Sequence, residues 1–209
     1  MLSLFFKPEG RVLKPFVSIL FALLTSTSIL RAQYFPKLSL ADWAKEDAFR
    51  QEWYSSQLRA LKEPSLLPKT KPLSSETYRF LWLRSFRHPV SVRIEIKADG
   101  TGILTTKVTS GAGGYRPGVL IQNSSRPLSQ AETHNFTEKV KSLNFWQIQN
   151  LPHDGREGDD GAQWILEGVK DGKYHVIDRW SPKDGPVHEL ACILLFNLAR
   201  LNFPKNEIY

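Results

Sequence analysis

Residues 77–108, TYRFLWLRSFRHPVSVRIEIKADGTGILTTKV, decide the fold. Tyr78, Phe80, Trp82 and Phe86 alternate with Arg79, Leu81, Leu83 and Ser85, a period of two that predicts a strand apolar on both faces. Arg87-His88-Pro89 turns the chain. Val90, Val92, Ile94 and Ile96 then alternate with Ser91, Arg93, Glu95 and Lys97, so the second strand has one buried and one wet face. Asp99-Gly100 predicts a hairpin, because a tight turn needs positive φ and these residues tolerate it. The return strand runs from about Gly102 to Val108, which completes a three-strand antiparallel meander.

Downstream, residues 110–128 (SGAGGYRPGVLIQNSSRPL) read as a long glycine-rich connection. Ser129 caps a helix, with Glu132 at capping-box spacing, and Ala131, Phe136, Val140 and Leu143 form its buried stripe. A polar loop at 153–161 leads to a second hairpin, in which Gln163 to Val169 and Lys173 to Trp180 flank Asp171-Gly172. Pro186 suits the first turn of a last helix over roughly 187–201, apolar on most sides. The order is three strands, helix, hairpin, helix. It predicts an α+β domain: an antiparallel sheet of about five strands with helices on one face.

Upstream, residues 64–76 (PSLLPKTKPLSSE) are rich in Pro, Ser and Lys and read as a linker. Before it, Ser39 and Asp42 have capping-box spacing, and Leu40, Trp43, Ala44, Tyr54, Leu58 and Leu61 share a helical face, with Phe49 and Trp53 on another. This N-terminal helix is expected either to move relative to the sheet or to cover its second face. At the start of the chain, Lys7, Arg11 and Lys14 precede the apolar run FVSILFALL at 16–24 and a small residue, Ala32. That is the pattern of a signal peptide and is short for a membrane span. The expected organisation is a signal peptide at 1–32, a helical segment at 33–63, a linker at 64–76 and the α+β domain at 77–209. The expected location is periplasmic or secreted, with membrane contact only if the N-terminal segment stays uncleaved.

The chain carries a formal charge of +7, of which the predicted signal supplies +3. The remainder is a modest surface charge and not a nucleic-acid footprint. Cys192 is the only cysteine, so no internal disulfide forms, and its apolar neighbours point to a packed thiol.

Four features of the sequence bear on chemistry. The run Gly111-Ala112-Gly113 begins like a dinucleotide fingerprint, but Arg116 holds the third glycine position and no Gly-Lys-Ser/Thr follows. Arg116 over backbone N–H groups is the candidate anion site. Asp154, Glu157, Asp159 and Asp160 cluster as calcium ligands do, but Arg156 and Gly158 break the EF-hand pattern. His153, His175 and His188 have no metal-ligand spacing, and no cofactor or metal is indicated. In the second hairpin, a two-residue turn at Asp171-Gly172 sets Glu167 opposite Val176 and Ile165 opposite Asp178. Glu167 and Asp178 are then diagonal neighbours, a carboxylate pair of the kind used in acid/base work on sugars, with His175 close in sequence. The same face holds apolar residues, and several arginines are available to pair with the acids. Trp164 opposite Arg179 is a candidate cation–π pair.

The strings YRFLWLRSFRHPVSVRIE, SGAGGYRPG and DGAQWILEGVKDGKYHVIDRWSP resemble those of an uncharacterised group of exported bacterial proteins over roughly residues 77–182. The resemblance implies a bacterial origin and attaches no activity. Two functional expectations follow. One is an exported, non-catalytic binding or interaction module of the cell envelope, whose partner is an envelope protein or polymer and not nucleic acid. The alternative is a small envelope hydrolase using Glu167 and Asp178 with His175. The sequence leaves open whether the protein is an enzyme.

Overall fold

The fold is given by a computed structural model, which describes residues 33–68, 76–150 and 160–209. The predicted signal peptide, most of the predicted linker, and His153, Asp154, Glu157 and Asp159 lie outside the described residues. Among the described residues no helix is long and apolar enough to cross a membrane.

One antiparallel sheet organises the chain. Its strands are β1 (Glu76–Arg84), β2 (Val90–Ile96), β3 (Gly102–Thr109), β4 (Leu120–Leu128), β5 (Ala162–Lys170) and β6 (Lys173–Trp180), in the spatial order β4-β3-β2-β1-β5-β6. The helices are α1 (Ala44–Ala60), α2 (Gln130–Ser142) and α3 (Gly185–Cys192), the last continued by a π-helical turn at Ile193–Leu198. The fold class is the predicted one. The sheet has six strands and not five, because the supposed connection at 110–128 contains β4.

The alternation in β1 separates two cores. Tyr78, Phe80 and Trp82 face the same side as Val92, Ile94, Trp164, Leu166 and Ile177, and there α2 and α3 cover the sheet with Phe136, Val140, Leu190 and Leu194. The odd residues of β1 face α1. Tyr34, Phe35, Leu40, Tyr54, Leu58 and Leu61 pack there on Leu81, Leu83, Ile165 and Val176. The N-terminal helix therefore covers the second face of the sheet. Burying a side chain such as Leu58 contributes about 2 kcal/mol.

Local chemistry sets the ends of these elements. Asp171 and Gly172 both have positive φ (51° and 74°), as a two-residue hairpin turn requires. The capping box of α2 forms as predicted, with Ser129 Oγ accepting from the Glu132 N–H and Glu132 accepting from the Ser129 N–H. At α1 the predicted box is absent. The helix starts at Ala44, and Ser39 Oγ donates to the Pro36 carbonyl. Asp47 instead accepts from the N–H groups of Leu38 and Leu40, both at 2.9 Å, and so ties the incoming chain to the first turn.

Candidate functional site

The β5–β6 register is the one predicted, with Glu167 opposite Val176 and Ile165 opposite Asp178. Both carboxylates point at α1, and both have no solvent exposure. Glu167 is gripped by Arg79, whose Nε and Nη2 donate at 2.7 and 2.8 Å, and by the Tyr174 hydroxyl at 2.8 Å. This two-pronged arrangement is the strongest form of arginine–carboxylate contact. Asp178 accepts from Arg50 at 2.8 Å and from the Tyr54 hydroxyl at 2.7 Å through Oδ2, while its buried Oδ1 has no partner. A third carboxylate, Glu63, lies just beyond α1 and meets Arg93 at 2.8 Å, Lys107 at 3.0 Å and Arg79 at 3.7 Å. A charged layer thus runs between α1 and the sheet.

Burial pushes the carboxyls of Glu167 and Asp178 above the ordinary range, and the attached arginines oppose it. The same burial drives the Tyr54 and Tyr174 hydroxyls well up, so both remain donors. The shifts come from a closed helix–sheet interface in which Glu167 and Asp178 each meet an arginine and a tyrosine. Neither carboxylate is exposed to a substrate from solution.

The third predicted member is elsewhere. His175 alternates with Val176 and so lies on the opposite face of β6, edge-on to Phe145 at 5.1 Å and 6.1 Å from Trp146. Desolvation lowers its pKa, against hydrogen bonds to the backbone of Ile148 and Phe145. The structure brings Glu167 and Asp178 to one face and separates His175 from both.

Arg116 is exposed at the tip of the loop between β3 and β4. The backbone N–H groups of Gly111, Ala112, Gly113, Gly114 and Tyr115 all donate to carbonyls within the loop or to Arg87 and Ser85. These five N–H groups are therefore already engaged within the protein. Cys192 is half-buried, its thiol raised by burial, with Sγ 3.6 Å from His188 Nε2. Trp164 stacks on His188 at 5.5 Å, and Arg179 opposite it donates to the carbonyls of Asp178 and Gln149. Among the described residues no three metal-binding side chains converge.

Two surface features bear on binding. The first is aromatic. Phe86 and Tyr115 stack at 5.9 Å although they are 56% and 64% exposed, and a second ring pair, Phe49 (64% exposed) with Trp53, lies on α1. The Trp53 indole donates to the Gly113 carbonyl at 2.8 Å, and Gln57 donates to the carbonyls of Gly113 and Tyr115. The loop and α1 are therefore fixed to each other beneath these rings.

The second is concave. A hollow of about 790 Å³ lies between α2 and the ends of β1 and β5, and another of about 610 Å³ lies along the β5–β6 turn. Trp146, Gln147 and Lys170 line both, so the two hollows adjoin at these side chains and are together called the trough. Phe145 and Trp146 read in sequence as core plugs at the end of α2. Phe145 is one, whereas Trp146 is only partly covered. The sequence sign of this incomplete burial is the polar surround of Asn144, Gln147, Gln149 and Asn150. Comparison with known protein families and with curated proteins finds no match to this chain.

Proposed function

We propose that the protein is an exported, non-catalytic binding module of the bacterial cell envelope that recognises another envelope protein. The observation that carries this reading is the exposed, stacked pair Phe86 and Tyr115, on a loop that Trp53 and Gln57 tie to α1, where Phe49 is also exposed. Exposed aromatics held on a fixed backbone lose little entropy on association and act as anchors in protein interfaces. Export rests on the basic start, the short apolar run at 16–24 and Ala32. The hydrolase alternative draws no support from Glu167 and Asp178, which lie inside the charged layer under α1.

A pull-down from envelope extract, comparing the wild type with a Phe86→Ser, Tyr115→Ser variant of equal stability, tests it. The expected result is a protein captured by the wild type and lost with the variant. Capture of nothing, or of the same proteins by both, removes the proposal. Hydrolysis of envelope polymers that is lost in a folded Glu167→Gln variant would restore the enzyme reading.

A further inference from the structure

We infer that the trough between α2 and the β5–β6 turn binds an uncharged oligosaccharide chain, with Trp146 as the platform on which a sugar ring stacks. The inference extends the binding-module reading to a second surface, separate from the Phe86 and Tyr115 pair.

Shape comes first. Each hollow lies within the ordinary range of ligand sites, and the two adjoin at Trp146, Gln147 and Lys170. Trp146 stands at the junction, partly exposed, and is backed by Phe145 edge-on at 5.2 Å and by His175 at 6.1 Å. A ring braced in this way presents its uncovered surface without further ordering, and indole suits a partner that is apolar on one side and wet at its rim. A sugar ring has that character, with C–H groups on its faces and hydroxyls around its edge.

Charge then narrows the class. The trough holds three acids, Glu76, Glu138 and Asp171, and three lysines, Lys141, Lys170 and Lys173, which cancel. Lys170 and Glu76 already pair at 2.9 Å. An anionic polymer would find no net attraction here, and a cationic one none either. What remains for recognition is hydrogen bonding. The exposed amides of Asn144 and Gln147 flank Trp146, and each offers both donors and an acceptor, as neighbouring hydroxyls require. An extended peptide is the weaker fit, because it gains affinity by pairing with a free strand edge. Here β6 is partly closed by the segment beside it, where the Asp178 N–H donates to Asn150 Oδ1 at 2.8 Å.

The test is titration of the protein with a panel of neutral oligosaccharides: β-linked glucans, α-linked glucans and N-acetylglucosamine oligomers. Binding is followed by calorimetry and tryptophan fluorescence. At least one is expected to bind saturably, with a Kd that changes less than about twofold between about 0.05 and 0.5 M salt. Trp146→Ala is expected to weaken it about tenfold, as loss of a stacked ring does. Should Trp146→Ala fail to fold, Trp146→Phe and the double variant Asn144→Ala, Gln147→Ala take its place, each expected to weaken binding by about threefold or more. The Phe86→Ser, Tyr115→Ser variant should bind the sugar as the wild type does, so failure of the protein-docking proposal and failure of this one are separable. No saturable binding across the panel overturns the inference. So does sugar binding that no trough variant weakens, or capture only of an anionic polymer that salt abolishes.

Discussion

Arg79 has no solvent exposure and touches Glu167, Glu63 and the Pro64 carbonyl, so its removal leaves carboxylates without compensation in a dry interface. Breaking a buried pair from one side costs about 3–5 kcal/mol, most of it the desolvation of the orphaned partner. Arg79→Met is expected to lower unfolding stability by that amount in urea titrations. The double change Arg79→Met, Glu167→Leu should cost less than Arg79→Met alone, and additive losses would show that the pair is not coupled. On the other face, burial lowers the His175 pKa below its free value of about 6.5. The unfolded chain then takes up a proton near pH 6.5 that the folded chain refuses. Stability supplied by neutral His175 is present above about pH 6.5 and is lost as pH falls towards the folded pKa, with a slope of at most about 1.4 kcal/mol per pH unit. A His175→Phe variant should lose less stability than the wild type between about pH 7 and pH 5.5. Equal losses would refute the assignment.

At the scale of elements, what the sequence made legible depended on whether burial left a periodic trace. β2 and β5 are covered by apolar partners, and their alternation or paired turn located them. β4, LIQNSSRPL, is an edge strand exposed along most of its length, so nothing in it alternates, and only Pro127, which edge strands accept, marked it. The predicted start of α1 failed for another reason: Ser39 and Asp42 have the right spacing, but Asp47 outcompetes them by capping Leu38 and Leu40 from inside the helix. Gly168 shows how close the elements pack where α2 passes into the trough. A Cβ there would lie 2.6 Å from the Phe145 ring and 3.0 Å from Tyr78, and both rings are buried. Gly168→Ala is therefore expected to cost about 1–3 kcal/mol and to displace Phe145 with Trp146. A lowered thermal midpoint and an altered tryptophan emission check it. An unchanged midpoint would mean that β5 has room to shift.

Across the whole molecule, the arrangement depends on a helix that binds the sheet through charge as much as through apolar contact. Arg93 lies on the side of β2 that reads in sequence as wet, and Arg79 and Lys107 lie on the same side of the neighbouring strands. Their partner Glu63 is remote in the chain, so no local pattern tells that α1 buries them. The same remoteness hid the Asp178 contacts with Arg50 and Tyr54, and left the Glu167–Asp178 pair looking like an open carboxylate site. If α1 is integral, a chain beginning at Thr77 exposes Leu81, Leu83, Ile165 and Val176 and strands four charged partners from their counterparts. Apolar loss on this scale is comparable with the whole marginal stability of a domain, about 5–15 kcal/mol. The fragment 77–209 is expected to lack a cooperative urea transition and to associate through its bare sheet face, whereas 33–209 unfolds in one step. Adding a peptide of residues 33–68 should restore the transition in proportion to its concentration. A sharp, peptide-independent transition in the fragment would instead make α1 an accessory laid on a sheet that is complete without it.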